Sequence, residues 1–161
     1  MTGKIIYIDM DGVLCDYESA YKRDKKAYPK TAYPQSRPGF YTGLKPIQGA
    51  LEAMDTVLGM ARLDPYILTA PSLYNPLSYT EKRLWVEEHL GFEWVKRLII
   101  CPNKSLLKGD VLIDDHITGR GQENFTGELF HFGSLTFPNW ESVMGTLTKT
   151  IINPPHQGLP L

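Results

Sequence analysis

Short apolar runs alternate with longer segments of helical periodicity along this chain. The runs predict five β-strands, at residues 4–8, 65–68, 97–100, 111–113 and 128–132. Most of them are nearly continuous in apolar residues, which indicates strands that are buried on both faces. That pattern is typical of a parallel sheet covered by helices.

Between the runs, the spacing of apolar residues predicts amphipathic helices. Residues 46–61 place their apolar side chains on one side, and a last helix is expected after Asn139, which can cap it. Residues 79–90 follow Ser78 as a plausible N-cap, with Glu81 placed as its capping-box partner. The alternation of strands and helices predicts a doubly wound α/β domain.

One segment interrupts this alternation directly after the first strand. Residues 16–45 hold five tyrosines and a Lys/Arg-rich, helix-like piece, and they are too long for an ordinary strand-to-helix loop. We interpret them as a small helical cap over the carboxyl edge of the sheet. The chain is therefore expected to form one domain over residues 1–152, with an irregular, proline-rich tail at residues 153–161.

Composition narrows the functional class. A formal net charge of −1 leaves no broad basic field, so binding to a nucleic-acid duplex is not expected, whereas a small phosphorylated ligand remains possible. No signal peptide is recognisable, and the longest apolar runs are too short to span a membrane. Cys15 and Cys101 both lie in apolar settings, which predicts buried thiols and a reducing cytoplasm.

Polar side chains follow four of the five predicted strands. In chain order they are Asp9 with Asp11, Thr69, Lys104, and Asp114 with Asp115. Ligands of open α/β sheets bind beyond the carboxyl ends of the strands, so we expect these side chains to converge in one cleft. Each of them alone is more often a turn former, a helix cap or a surface group. Their joint occurrence in this order favours a functional site.

The chemistry of this set favours a metal ion and a phosphate. Four carboxylates in one cleft would repel one another strongly without a cation among them, and carboxylate and carbonyl oxygens suit Mg²⁺. A bound Mg²⁺ would also screen the charge of a phosphate. Lys104 adds a fixed positive charge, the Thr69 hydroxyl can donate to a phosphoryl oxygen, and Gly12 allows a close approach of the backbone.

The run Asp9-Met10-Asp11-Gly12-Val13 resembles the first motif of the haloacid dehalogenase-like (HAD) phosphatases. Thr69, Lys104 and Asp114-Asp115 are similar to their second, third and fourth motifs. More narrowly, residues 81–91 and the stretch from 103 to 115 resemble the 5′(3′)-deoxyribonucleotidase family. The resemblance implies a HAD-like Rossmannoid three-layer sandwich, with a mostly parallel five-stranded sheet and a small helical cap inserted after strand 1.

The resemblance also implies residue roles. Asp9 would be the nucleophile that becomes phosphorylated, and Asp11 would protonate the leaving alkoxide and then activate water. Thr69 and Lys104 would bind the transferring phosphoryl group. Mg²⁺ would be held by the Asp9 carboxylate, the Asp11 carbonyl and one carboxylate of the later pair. Asp115 is the preferred direct ligand there, with Asp114 bonding a metal-bound water, although the sequence leaves the two alternatives open.

For the substrate, the resemblance points to the cap and to the phosphate loop. Tyr17, Phe40 and Tyr41 would stack on a nucleobase, with packing inside the cap as the alternative. Gly12, Ala70 and Lys82 would lie near the phosphate, with an exposed helix position as the alternative for Lys82.

Two departures from the family pattern weaken a prediction of pyrimidine and 2′-deoxy preference. Ala70 stands where relatives usually carry Ser, and His116 stands where they carry Arg or Lys.

The leading hypothesis is therefore a cytoplasmic, magnesium-dependent phosphatase for deoxyribonucleoside monophosphates, and the resemblance hints at a homodimer. A HAD phosphatase for a sugar phosphate or another small ester would share the catalytic residues and differ in the cap. A phosphorylation receiver also groups strand-end acids, a threonine and a lysine around Mg²⁺. Asp11 and the long cap argue against a receiver, which needs neither.

Overall fold

A computed structural model describes residues 3–152 of the chain, and the predicted tail at 153–161 lies outside the described residues. Within that part, five parallel strands form one sheet in the order β3-β2-β1-β4-β5. They are β1 (Lys4–Ile8), β2 (Leu63–Thr69), β3 (Leu98–Ile100), β4 (Val111–Asp114) and β5 (Glu128–His131). The prediction of an α/β fold with a five-stranded parallel sheet is confirmed, and every predicted strand boundary lies within two residues of the observed one.

The α-helices of the described residues are α1 (Tyr17–Ala27), α2 (Ala50–Leu58), α3 (Leu77–Leu90), α4 (Phe92–Val95) and α5 (Trp140–Ile152). The larger core joins one face of the sheet to residues of the helices, including Trp85, Trp94 and Trp140. None of the helices between residues 3 and 152 combines the length and apolar character needed to cross a bilayer.

The opposite face of the sheet has a thinner cover. Tyr7, Leu68 and Leu112 form a smaller core there, packed by Leu107 and Phe125 among others. Each of those two residues directly follows a short 3₁₀ turn, in the connections from β3 to β4 and from β4 to β5. The crossovers on this side therefore contribute turns instead of α-helices.

Two predicted helix starts are wrong, and both errors have local causes. The helix predicted from residue 46 begins only at Ala50, because Gly49 has φ +81° and Ile47 donates its N–H to the Leu14 carbonyl. α3 begins before Ser78, and the Asn75 side chain accepts the N–H of Leu77 at its start. Ser78 instead bonds the backbone of Ser72, so the predicted capping box does not form.

Other local predictions fare differently. The Asn139 side chain accepts the N–H of Ser142 at the start of α5, which confirms the predicted cap. Both cysteines are free thiols. Cys15 is buried as predicted, but Cys101 is only half-buried, so that part of the prediction is wrong.

The segment at residues 16–45 contains α1, a 3₁₀ turn at 34–36 and the return to the core. The Asp16 side chain caps α1 by accepting the N–H of Ser19 at 3.0 Å. Asp24 is buried and accepts hydrogen bonds from Arg23 and Arg37, each at 3.1 Å. The Arg37 guanidinium also stacks on the Tyr28 ring, 3.5 Å from its centroid, and these contacts hold the return segment against α1.

Candidate active site

A cavity of about 800 Å³ is lined by residues that follow β1, β2 and β4 at the carboxyl edge of the sheet. The predicted catalytic and metal-binding residues all line it, namely Asp9, Asp11, Thr69, Lys104, Asp114 and Asp115. Gly12, Tyr17, Tyr41 and Ala70, which were predicted to bind substrate, line it as well. The acids near the N-terminus and those of the later half therefore share one cavity.

Lys104 connects two of these acids. Its ammonium group is almost fully buried and lies 2.8 Å from Asp9 Oδ1, and it also donates to Asp114 Oδ2. Burial disfavours the charged lysine, but attraction to Asp9 and Asp114 outweighs it and raises the pKa of Lys104. Asn103 accepts the N–H of Ser105 and caps the turn that carries Lys104. This turn places a fixed positive charge between β1 and β4.

Asp114 is fully buried, and both of its carboxylate oxygens already accept two hydrogen bonds. Oδ1 accepts from the N–H of His116 and from Gln122 Nε2, while Oδ2 accepts from Lys104 and from the same Gln122 nitrogen. Burial and repulsion from Asp9 raise the pKa of Asp114, whereas Lys104 opposes that shift. The Asp114 carboxylate is therefore committed to protein donors.

Asp115 has a different environment. About a quarter of its side chain is exposed, and its Oδ1 lies 2.9 Å from Nδ1 of His116. Its carboxylate approaches Gly12 so closely that a Cβ there would lie 2.2 Å from Oδ2. Burial and repulsion from Asp9 raise the pKa of Asp115, and His116 counteracts them. Asp115 thus faces the turn that follows β1.

The proposed acid-base residue Asp11 is paired with Lys82. The buried Lys82 ammonium donates to Asp11 Oδ2 and Thr69 Oγ1, each at 2.8 Å, and to the Ala70 carbonyl at 2.6 Å. A lysine ammonium carries three hydrogens, so these acceptors satisfy it completely. Burial raises the pKa of Asp11 and Asp9 adds to the increase, although Lys82 opposes both. The Cys15 thiol also contacts Asp11 Oδ1, at 3.7 Å.

The cap supplies an aromatic wall to the cavity. Tyr17 and Tyr41 line it, with ring centroids 6.3 Å apart, and Tyr21 stacks on Tyr17 at 6.0 Å. Phe40 was predicted to stack on a base, but it is 3% exposed and does not line the cavity. Its ring packs edge-on against Tyr17 and Tyr41 from behind, which is the packing alternative.

Lys82 does not line the cavity either, because its ammonium lies behind Asp11 and Thr69.

Gln122 was not among the predicted site residues, although it contacts both oxygens of Asp114 and its own Oε1 accepts the N–H of Arg120 at 2.8 Å. Gln122 is neutral and lies in the connection between β4 and β5, so neither charge nor hydrophobic periodicity identifies it in the sequence.

The donor set suits a hard cation. Asp114, Asp115 and His116 each offer one ligand atom, and these atoms lie within 4.8 Å of one another. Asp9 and Asp11 add oxygen atoms to the same cavity. Carboxylate oxygens around an anion-binding lysine and a strand-end threonine can bring a divalent cation and a phosphate together.

Solved structures of low sequence identity share the fold. The HAD-hydrolase YfnB from Bacillus subtilis, solved with bound magnesium, superposes with a TM-score of 0.58 at 11% identity, covering 91% of this chain and 99% of YfnB. A hydrolase from Streptococcus pneumoniae gives a TM-score of 0.52 at 11% identity, covering 94% of this chain and 99% of its own. These likenesses confirm the HAD-like architecture.

Sequence relatives define the family. A family model described as "5' nucleotidase, deoxy (Pyrimidine), cytosolic type C protein" matches residues 30–137. A Vibrio phage KVP40 protein assigned as a 5′(3′)-deoxyribonucleotidase is 41% identical over 148 residues, which are 90% of this chain and 85% of the phage protein. The human 5′(3′)-deoxyribonucleotidase of cytosolic type is 30% identical over 181 residues, covering 93% of this chain and 84% of the human protein. This chain therefore belongs to the 5′(3′)-deoxyribonucleotidase family.

Proposed function

We propose that the protein is a magnesium-dependent phosphatase that releases phosphate from deoxyribonucleoside monophosphates through an aspartyl-phosphate on Asp9. The observation that carries this proposal is the convergence of Asp9, Asp11, Lys104 and Asp115 in one cavity at the carboxyl edge of the sheet. Membership of the deoxyribonucleotidase family supports the substrate class.

The metal site would consist of the Asp9 carboxylate, the Asp11 backbone carbonyl and the Asp115 carboxylate. Asp115 is the better direct ligand because each oxygen of Asp114 already accepts two hydrogen bonds from the protein. These hard oxygen donors suit Mg²⁺, which leaves its other positions to water and to substrate oxygens. When bound, the ion would neutralise the phosphate charge that faces the acids.

Asp9 would attack phosphorus with its carboxylate. Lys104 restrains Oδ1 at 2.8 Å, which leaves Oδ2 as the attacking atom. The same ammonium would attract the phosphoryl group that approaches Asp9. Thr69 Oγ1 accepts a hydrogen bond from Lys82, so its own hydroxyl hydrogen is free to donate to a phosphoryl oxygen. The attack forms the bond from Asp9 to phosphorus as the ester bond to the leaving oxygen breaks.

Asp11 would move the protons in both half-reactions. In the first, its carboxylic acid gives a proton to the leaving alkoxide, so the alcohol departs neutral. In the second, the resulting carboxylate takes a proton from a water molecule. The oxygen of that water then attacks phosphorus, inorganic phosphate leaves, and the Asp9 carboxylate is regenerated. Burial raises the pKa of Asp11, which is the direction that the first step needs, although Lys82 opposes the shift.

The cavity is large enough for a nucleoside monophosphate, and both the anion-binding residues and the aromatic wall line it. Tyr17 offers a ring to a base, which is a sequence-tolerant form of recognition, and the buried Tyr41 ring packs against it. The free thiols of Cys15 and Cys101 fit a reducing compartment, and together with the cytosolic type of the human relative they support a cytoplasmic location. The homodimer stays a prediction.

A substrate panel tests the proposal. Purified protein is incubated with deoxy- and ribonucleoside monophosphates and with sugar phosphates, with and without Mg²⁺, and phosphate release is measured. Deoxyribonucleoside monophosphates should lead the panel, chelation should stop the reaction, and Asp9→Asn should be inactive. Acid-quenched protein should carry an acyl-phosphate on the peptide that contains Asp9. Sugar phosphates far ahead of nucleotides would instead establish the second candidate function, and no turnover of any ester would exclude a phosphatase.

A further inference from the structure

Glu81 is a buried carboxylate that neither lines the cavity nor caps its helix. Its side chain reaches from α3 to the cap, where Oε1 accepts the N–H of Gly39 at 2.7 Å and Oε2 accepts the N–H of Tyr41 at 3.0 Å. Hydrogen bonds to an ionised acceptor are stronger than neutral ones, and two of them on one carboxylate fix its geometry. Glu81 therefore holds the aromatic turn, defined here as residues 39–41, from about forty positions away in the sequence.

Tyr41 is the residue of this turn that lines the cavity, although only 2% of its surface is exposed, and it is held at three points. Its backbone N–H is bound by Glu81, and its ring centroid lies 5.0 Å from Lys82 Nζ. Its ring also packs against Tyr17 and Phe40, at centroid distances of 6.3 and 5.1 Å. The ring is thus locked between the cap and the reaction centre.

The side chains of Glu81 and its chain neighbour Lys82 point in different directions from α3. Consecutive helical residues point roughly 100° apart, so one can reach the cap while the other reaches the core. Lys82 does the latter by bonding Asp11 and Thr69. Two adjacent residues of α3 therefore set the distance between the aromatic turn and the catalytic side chains.

We propose that Glu81 is a positioning residue for substrate selection. By anchoring the aromatic turn it keeps Tyr41 at a fixed place beside Asp11, so that a substrate whose leaving group extends into the cap binds a preformed wall. A small phosphate ester that does not reach the cap would not depend on Glu81. This inference rests on the proposed function, because it assigns the selection of a nucleotide over a smaller ester to the cap.

The test compares Glu81→Gln with Glu88→Gln. The first substitution preserves size but offers one acceptor oxygen where two backbone N–H groups need one each. Glu88 is exposed on the same helix and undergoes the same change of charge, so it is the matched control. Kinetic constants are measured for a deoxyribonucleoside monophosphate and for p-nitrophenyl phosphate. We expect Glu81→Gln to raise KM for the nucleotide by about tenfold, with kcat and the constants for p-nitrophenyl phosphate within about threefold of wild type.

Equal losses on both esters would overturn the proposal, since a merely structural role would damage both reactions alike. Unchanged nucleotide KM would overturn it too. A second measurement, hydrogen–deuterium exchange, uses the wild-type protein without substrate and therefore does not depend on whether a variant folds. In the wild-type protein the Gly39 and Tyr41 amides should exchange slowly with deuterium, and fast exchange would show that Glu81 does not hold them. Failure of the proposed function would appear differently, as absence of nucleotide hydrolysis by the wild-type protein while these amides stay protected.

Discussion

Lys82 Nζ lies 2.8 Å from Asp11 Oδ2, so the proposed acid-base residue is paired with a lysine of α3 and not with Lys104. The two lysines bond different residues of the site. Lys104 bonds Asp9 and Asp114, whereas Lys82 bonds Asp11 and Thr69. The proposed nucleophile Asp9 and the proposed acid-base residue Asp11 therefore each have their own buried cation, and each lysine connects two strand ends.

Replacing Lys82 should damage both stability and catalysis. Lys82→Met keeps most of the side-chain volume but leaves Asp11 and Thr69 Oγ1 without their shared donor. We expect the free energy of unfolding to fall by about 3 kcal/mol, because one partner of a buried ion pair is removed. We expect kcat to fall by about a hundredfold for nucleotides and for p-nitrophenyl phosphate alike, since both need Asp11 and Thr69.

Urea unfolding and phosphate release measure the two effects of Lys82→Met. Arg83→Met is the control, because Arg83 directly follows Lys82 in α3 and forms an exposed ion pair with Glu87. Exposed pairs contribute little, so this variant should stay within about 1 kcal/mol of wild type. Normal turnover in Lys82→Met would contradict the pairing with Asp11.

Gly12, in the turn after β1, lies directly against the Asp115 carboxylate. Its φ is +78°, and an added Cβ would lie 2.2 Å from Asp115 Oδ2. Gly12→Ala should therefore displace Asp115 and weaken Mg²⁺ binding by at least about tenfold. Gly91→Ala is the matched control, because Gly91 has φ +84° and a Cβ added there would meet no atom of the described residues within 4 Å.

Both alanine variants carry the backbone strain of a positive φ, about 1–2 kcal/mol, but only one carries the clash with Asp115. Calorimetric titration with Mg²⁺ separates the two effects. If the alanine at position 91 weakened Mg²⁺ binding as much as the one at position 12, strain alone would explain the loss and the contact with Asp115 would be irrelevant.

The sequence was sufficient for the sheet and for the residues at its edge. Strands buried on both faces have continuous apolar runs, and the residue after each run, such as Asp9 or Thr69, lies at the carboxyl edge of the sheet because the strands are parallel. Contacts between distant segments could not be predicted in this way. Glu81 fits a local capping-box pattern, but two backbone N–H groups of the cap compete for its carboxylate. Local patterns do not contain that information.

Aromatic residues show the same limit. Phe40 and Tyr41 are neighbours of equal promise in the sequence, yet only Tyr41 lines the cavity. Successive side chains in a turn point to different sides, and both rings pack against Tyr17, so only the three-dimensional arrangement shows which one reaches the cavity. Gln122 was not predictable from charge or periodicity, because its role depends on where β4 places Asp114.

We expect Gln122 to affect stability and activity through its hydrogen bonds to the Asp114 carboxylate. Gln122→Leu removes the amide that donates to both Asp114 oxygens, and we expect the free energy of unfolding to fall by about 1–3 kcal/mol because a buried hydrogen-bonding group loses its partner. Activity should fall by about tenfold, since Asp114 and Lys104 lose part of their support. Gln122→Glu should be worse, because it would place a second carboxylate against Asp114. Activity in Gln122→Glu equal to that of Gln122→Leu would contradict an electrostatic role and leave only packing.

The two adjacent acids after β4 should differ in how they affect metal binding. Asp115 is partly exposed and faces Gly12, whereas both oxygens of Asp114 are occupied by Lys104, Gln122 and the His116 N–H. We expect Asp115→Asn to abolish measurable Mg²⁺ binding, because a direct anionic ligand is lost. Asp114→Asn should weaken binding by about tenfold, as is usual for a group that acts on the ion through other ligands. Calorimetric titration of each variant measures this difference without any substrate. The opposite ranking would make Asp114 the direct ligand, and its hydrogen bonds to Lys104 and Gln122 would then have to break when the ion binds.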